Sequence, residues 1–80
     1  MDITLEDVIG MLEDIQEDID YEEEDGLIDN DLLDSFDILA IVSAVDEEFD
    51  VEIPAKEITP DNFNSAEALH QLIVRLSEED

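Results

Sequence analysis

Leu32-Leu33-Asp34-Ser35-Phe36-Asp37-Ile38-Leu39 runs on through Ala40-Ile41-Val42-Ser43-Ala44-Val45-Asp46-Glu47-Glu48-Phe49-Asp50, and its periodicity is helical. Asp34 and Ser35 both suit an N-cap, because a short oxygen-bearing side chain accepts a backbone N–H of the first turn. Ile38, Val42, Val45 and Phe49 then repeat at the three-and-four spacing of one buried face. At 100° per residue this leaves Phe36, Ala40, Ser43 and Glu47 facing away from the core. The helix is predicted to end near Asp50.

The same period appears upstream, where Thr4 can cap a first helix whose Leu5, Val8, Ile9, Leu12 and Ile15 share a face. Between the two helices the pattern lapses into Asp18-Ile19-Asp20-Tyr21-Glu22-Glu23-Glu24-Asp25-Gly26, an acidic run closed by a turn residue. Leu27, Ile28, Leu32 and Leu33 follow and are expected to pin this long loop to the core. Downstream, Thr59-Pro60-Asp61 reads as a cap with proline at the first helical position, opening a short third helix through Phe63. A fourth begins at Asn64 or Ser65, with Leu69, Leu72, Ile73 and Leu76 on its face and Asn64 with Glu67 as a capping-box variant. Asp50-Val51-Glu52-Ile53 alternates, but is too short to pair as a strand by itself. The expected architecture is all-α, a small four-helix bundle with a long loop between helices 1 and 2 and a short third helix. Residues 1–80 form a single domain, with no internal repeat and no linker.

Charge narrows the classes of function. Twenty-seven acidic residues face two basic ones, Lys56 and Arg75, for a formal charge of −25. Such a surface repels nucleic-acid phosphates and anionic membranes and attracts basic proteins. Cysteine is absent, so the chain has no disulfide framework, thiolate metal site or cysteine nucleophile. The start, Met1-Asp2-Ile3-Thr4-Leu5-Glu6-Asp7, lacks the basic, then apolar, pattern of a signal peptide, and no later stretch is apolar enough to span a bilayer. The expectation is a cytoplasmic monomer.

An exposed aromatic beside a serine at a helix start does little for stability but suits a docking point. Periodicity leaves a second orientation open, with Phe36 folded back onto the loop as a hydrophobic staple. Asp46, Glu47 and Glu48 lie at the helix C-terminus, where acids oppose the macrodipole at roughly 0.3–1 kcal/mol each. Their presence points to selection for something besides stability. The plain reading of Ser35 is an N-cap and nothing more.

Leu32 to Leu39, with Asp34-Ser35-Phe36 at its centre, resembles the phosphopantetheine-attachment segment of the acyl carrier protein family, in which an Asp-Ser-aliphatic or aromatic tripeptide opens the second helix. Glu47-Glu48-Phe49-Asp50-Val51-Glu52-Ile53-Pro54 is similar to that family's end of helix 2 and following loop, and the likeness extends over residues 27–76. It implies a non-enzymatic carrier. A phosphopantetheinyl transferase moves phosphopantetheine from coenzyme A onto the Ser35 hydroxyl, and the arm's thiol holds the cargo as a thioester. Loading ligases or transferases and downstream synthases are the further partners implied. Asp34, Asp37, Glu47 and Glu48 then form a negative rim around Phe36 that steers basic partners.

The cargo is less defined. Ala40 stands where carriers of fatty-acid synthesis commonly show glutamate, and residues 55–63 lack their second acidic run. Leu32-Leu33-Asp34-Ser35-Phe36 resembles D-alanyl carriers, which typically place glycine where this chain has Asp37. Thr59-Pro60-Asp61-Asn62-Phe63 is similar to peptidyl carriers. A specialised acyl or aminoacyl pathway fits these departures best.

Competing readings fit the sequence less well. Aligning Gly26 with the sixth position of an EF-hand loop puts Tyr21 first and Leu32 twelfth, where a bidentate glutamate belongs, so no calcium cage is expected. His70 has no partner at metal-ligand spacing and reads as ordinary surface. An acidic interaction module or nucleic-acid mimic accounts for the charge but not for Asp34-Ser35-Phe36-Asp37.

Overall fold

The computed structural model describes residues 3–78, so Met1 and Asp2 of the N-terminal reading lie outside the described residues. Helix α1 (Leu5–Ile15) is followed by a loop over residues 16–34, α2 (Ser35–Phe49), a 3-10 turn (Ala55–Glu57), α3 (Pro60–Phe63) and α4 (Ala66–Glu78). The described residues contain no strand. Helix α1 packs against both α2 and α4, and α3 packs against α4.

Each helix start follows from its local chemistry. Thr4 and Asp7 form a reciprocal capping box on α1, the Thr4 hydroxyl accepting the Asp7 N–H at 3.1 Å. Pro60 occupies the first turn of α3, where its missing N–H costs nothing. Asn64, expected to cap α4, is engaged elsewhere: its Oδ1 accepts the Ile28 and Asp29 N–H groups at 3.0 and 3.1 Å, and its carbonyl accepts the Leu27 N–H. Ser65 takes over, its Oγ accepting the Ala68 N–H at 3.0 Å. The long loop is thereby stitched to the head of α4.

The core combines Val8, Met11 and Leu12 of α1, Ile41, Val45 and Phe49 of α2, Phe63 of α3, and Leu69, Leu72 and Ile73 of α4. In α2 the buried arc is rotated a fraction of a turn from the expected one. Ile41 is fully buried, while Ile38 and Val42 lie half-buried at the edge. The phase of an arc depends on which neighbours flank the helix, and periodicity carries only the spacing.

The loop also departs in detail from expectation. Leu27 and Leu33 are buried, but Leu32 is 38% exposed. Asp31 adopts a left-handed conformation (φ 58°), and the N–H groups of Leu32 and Leu33 both reach Leu27 O at 3.0 Å. This tight reversal sends Leu33 in and Leu32 out. Gly26 does not supply a left-handed turn. A Cβ there would lie 2.5 Å from Asn30 Nδ2, the tip of an exposed side chain that would have to move aside. Val51 and Ile53 are buried and Glu52 exposed, so the alternation of that segment is real without being a strand.

His70 is not ordinary surface. Its Nε2–H donates to Ile3 O at 2.7 Å and ties α4 to the chain start. Arg75 forms a bidentate pair with Glu57 at 3.0 and 3.1 Å, fastening the 3-10 turn to α4. The guanidinium holds the Glu57 carboxyl below its usual range.

Candidate carrier site at the start of helix 2

Asp34, not Ser35, caps α2. Its Oδ1 accepts the Asp37 N–H at 2.9 Å, and Asp37 Oδ2 accepts the Asp34 N–H at 3.1 Å, a reciprocal box built from two aspartates. Ser35 is left as the first helical residue, exposed and without a capping duty. The reading of Ser35 as a mere cap therefore fails, because the oxygen doing that work belongs to Asp34.

Phe36 is 81% exposed, which excludes the staple orientation. Leu39, three residues on, is 63% exposed. It flanks Phe36 on the helix surface, so the first turns of α2 present a small apolar patch to solvent. Sequence reasoning had not singled out Leu39, although its position on the helical wheel, about 100° from Ile38, was the available signal.

Asp34, Ser35, Phe36 and Asp37 thus come together within one turn. Glu47 and Glu48 do not join them, lying about 18 Å further along the helix at 1.5 Å per residue. Both are exposed. Glu47 shares the face of Phe36, whereas Glu48 points about a third of a turn away.

Two residues absent from the sequence reading of the site lie beside it. Gln16 Nε2 is 3.3 and 3.4 Å from Asp37 Oδ1 and Oδ2. Tyr21 is buried, and its hydroxyl donates to the carbonyl region at the end of α1, 2.7 Å from Gln16 O and 3.1 Å from Leu12 O. Burial, with the nearby negative charges of Asp37 and Glu13, pushes the phenol up to about 12.

The site meets the requirements of a phosphodiester attached at Ser35. Ser35 is exposed, and the Ser35 and Phe36 N–H groups at the start of a 15-residue helix have no intrahelical acceptor, so the helix end partly offsets the charge of the Asp34 and Asp37 carboxylates. Both neighbouring carboxylates are turned onto backbone N–H groups. No group of three or more His, Cys, Asp or Glu side chains among the described residues is arranged to hold a metal ion.

Compared with known proteins, 42 residues of the chain are 43% identical to aminoacyl carrier protein 1 of Bradyrhizobium diazoefficiens, covering 52% of this chain and 47% of that protein. Over that stretch the chain is similar to an acyl carrier protein. This acyl carrier relative is matched over about half its length. No family model matches the chain, and no solved structure matches it. The four helices in this order are those expected of an acyl carrier fold. No helix among the described residues is long and apolar enough to cross a membrane.

Proposed function

We propose that this protein holds acyl or aminoacyl groups on a phosphopantetheine arm attached to Ser35 and presents them to partner enzymes. One observation carries the reading: Ser35 opens α2 exposed and relieved of capping by Asp34, beside an aromatic ring that is 81% exposed. The likeness to an aminoacyl carrier protein supports an aminoacyl cargo in particular.

Attachment needs no base from this chain. The Ser35 oxygen takes the phosphopantetheinyl group of coenzyme A, a new O–P bond replacing the one to adenosine 3′,5′-bisphosphate, which leaves, while the transferase accepts the serine proton. Once in place the arm supplies a terminal thiol, the function that a cysteine-free chain lacks, and the cargo is held there as a thioester. The chain's own residues bind and orient. Phe36 and Leu39 offer an apolar contact, and Asp34, Asp37, Glu47 and Glu48 bias encounters towards basic surfaces. The partners of this reading are a phosphopantetheinyl transferase, a loading ligase or transferase, and synthases that accept the cargo. The protein acts as a cytoplasmic monomer.

Incubation with coenzyme A, magnesium and a promiscuous phosphopantetheinyl transferase, followed by intact-mass measurement, tests the reading. A single phosphopantetheinyl addition is expected, and none in Ser35→Ala. Phe36→Ala should slow the addition while leaving the helical circular dichroism in place. An unmodified wild type, under conditions that modify a control carrier, overturns the carrier reading in favour of an acidic interaction module.

A further inference from the structure

The turn that bears Ser35 is weakly held by the core. Between Leu33, which is buried, and Ile41, the first buried residue of α2, no side chain is buried. Phe36 and Leu39 face solvent and Ile38 is half-covered. Hydrophobic burial therefore does not fix this turn, and a polar contact takes its place.

That contact is Gln16. It caps the end of α1, its N–H closing on Leu12 O at 2.8 Å, and its carbonyl is clamped by the Tyr21 hydroxyl at 2.7 Å. With its backbone held from both sides, its side-chain amide reaches both oxygens of Asp37, 21 residues away. Among the described residues this is the only hydrogen-bonded link between α1 with its cap and α2. Asp37 in turn holds the Asp34 N–H, so the chain of contacts runs from Gln16 through Asp37 to the residue preceding Ser35. Position 16 is flanked by Asp14, Glu17 and Asp18. A neutral donor there meets Asp37 without the repulsion that another carboxylate would bring.

We infer that Gln16 is a positioning residue for the Ser35 site, holding through Asp37 the first turn of α2 in the arrangement that partner enzymes engage. The inference rests on Ser35 being the attachment point. If the engaged arrangement is only fractionally populated without the link, apparent affinity for a partner falls by that fraction, whereas turnover of the bound complex is unchanged.

The test is steady-state modification of the full chain at varied carrier concentration. Gln16→Met keeps the length and removes the donor. It is expected to raise KM for the carrier about three- to tenfold, with kcat within about twofold of wild type. In an Asp37→Ala background the same substitution should add nothing further. Gln16→Lys restores a donor to Asp37 and should return KM to within about twofold of wild type, while Glu17→Gln, the same change of charge next door, should not lower KM. Circular dichroism confirms that each variant is folded. A Gln16→Met chain with a lower melting temperature but wild-type KM shows a purely structural role and overturns the inference while the carrier reading stands. A wild type that is never modified overturns the carrier reading, and the inference with it.

Discussion

Tyr21 is the only tyrosine in a chain without tryptophan, and it performs two tasks at once. The ring fills the core beneath the loop, and the hydroxyl donates to the Gln16 carbonyl, which the end of α1 leaves without an intrahelical donor, and also lies 3.1 Å from Leu12 O. Tyr21→Phe should cost about 1 kcal/mol, the net worth of a buried hydrogen bond. The phenol also couples folding to alkaline pH. Its folded value of about 12 exceeds the unfolded value of about 10, so the stabilisation is fully present below about pH 10 and is lost as pH rises through about 12. Near-ultraviolet absorbance of tyrosinate reads this single group directly. Wild type should ionise late and lose stability in that window, and Tyr21→Phe should lose less. Ionisation at the free-tyrosine value in the folded protein would mean that the hydroxyl is not held as described.

Helix α2 shows how an element can be well started and poorly ended. Its N-terminus has a double aspartate box, which also complements the macrodipole. Its last turn holds Asp46, Glu47 and Glu48 with no basic residue, and Asp50 closes it in a left-handed conformation with φ 56°. Both features are unfavourable, one through charge against the helix dipole and the other through Cβ crowding. Asp50→Gly removes a charge and the crowding together and should stabilise by about 1 kcal/mol, despite the greater unfolded-state entropy of glycine. Urea denaturation decides it, and a destabilised variant would show that the Asp50 side chain makes a compensating contribution. Retention of acids at this end is understandable if partners read them, since Glu47 shares the exposed face of Phe36.

Over the whole molecule, a formal charge of −25 is wrapped around a core built on 80 residues. Repulsion is greater in the compact state than in the expanded chain, so screening should stabilise the fold. The acids are also crowded. Glu6, Glu13, Glu17, Asp18, Asp20 and Glu22 line one trough of about 600 Å³ between α1 and the loop, over Ile9, Ile19 and Tyr21. Divalent cations should gather at such carboxylate crowds and act at concentrations on the order of millimolar, far below those at which sodium chloride acts. For a chain of this size each ~1 kcal/mol of relieved repulsion raises the melting temperature by about 4–8 °C. Thermal melts at pH 7 in low salt, added sodium chloride and millimolar magnesium test this. A melting temperature indifferent to all three would show that the core alone sets stability.

Helix positions were legible in the chain because their signals are local. Thr4, Asp34 and Pro60 mark starts through side-chain or ring chemistry that acts within one turn, and Asp50 lies where α2 stops. The outward direction of Phe36, Ala40, Ser43 and Glu47 was equally legible, since 100° per residue separates them from the apolar stripe. Everything that required a partner distant in sequence was not. The burial of Ile41 ahead of Ile38 depends on how α2 is rotated against its neighbours. Leu32 faces out because Asp31 reverses the chain, and Asn64 abandons its helix for backbone donors 35 and 36 residues away. His70 meets Ile3 across 67 residues, and Gln16 meets Asp37 across 21. Amide, imidazole and carboxylate groups bond whatever donor or acceptor the packed helices bring within about 3 Å, and that proximity exists only once the helices are packed.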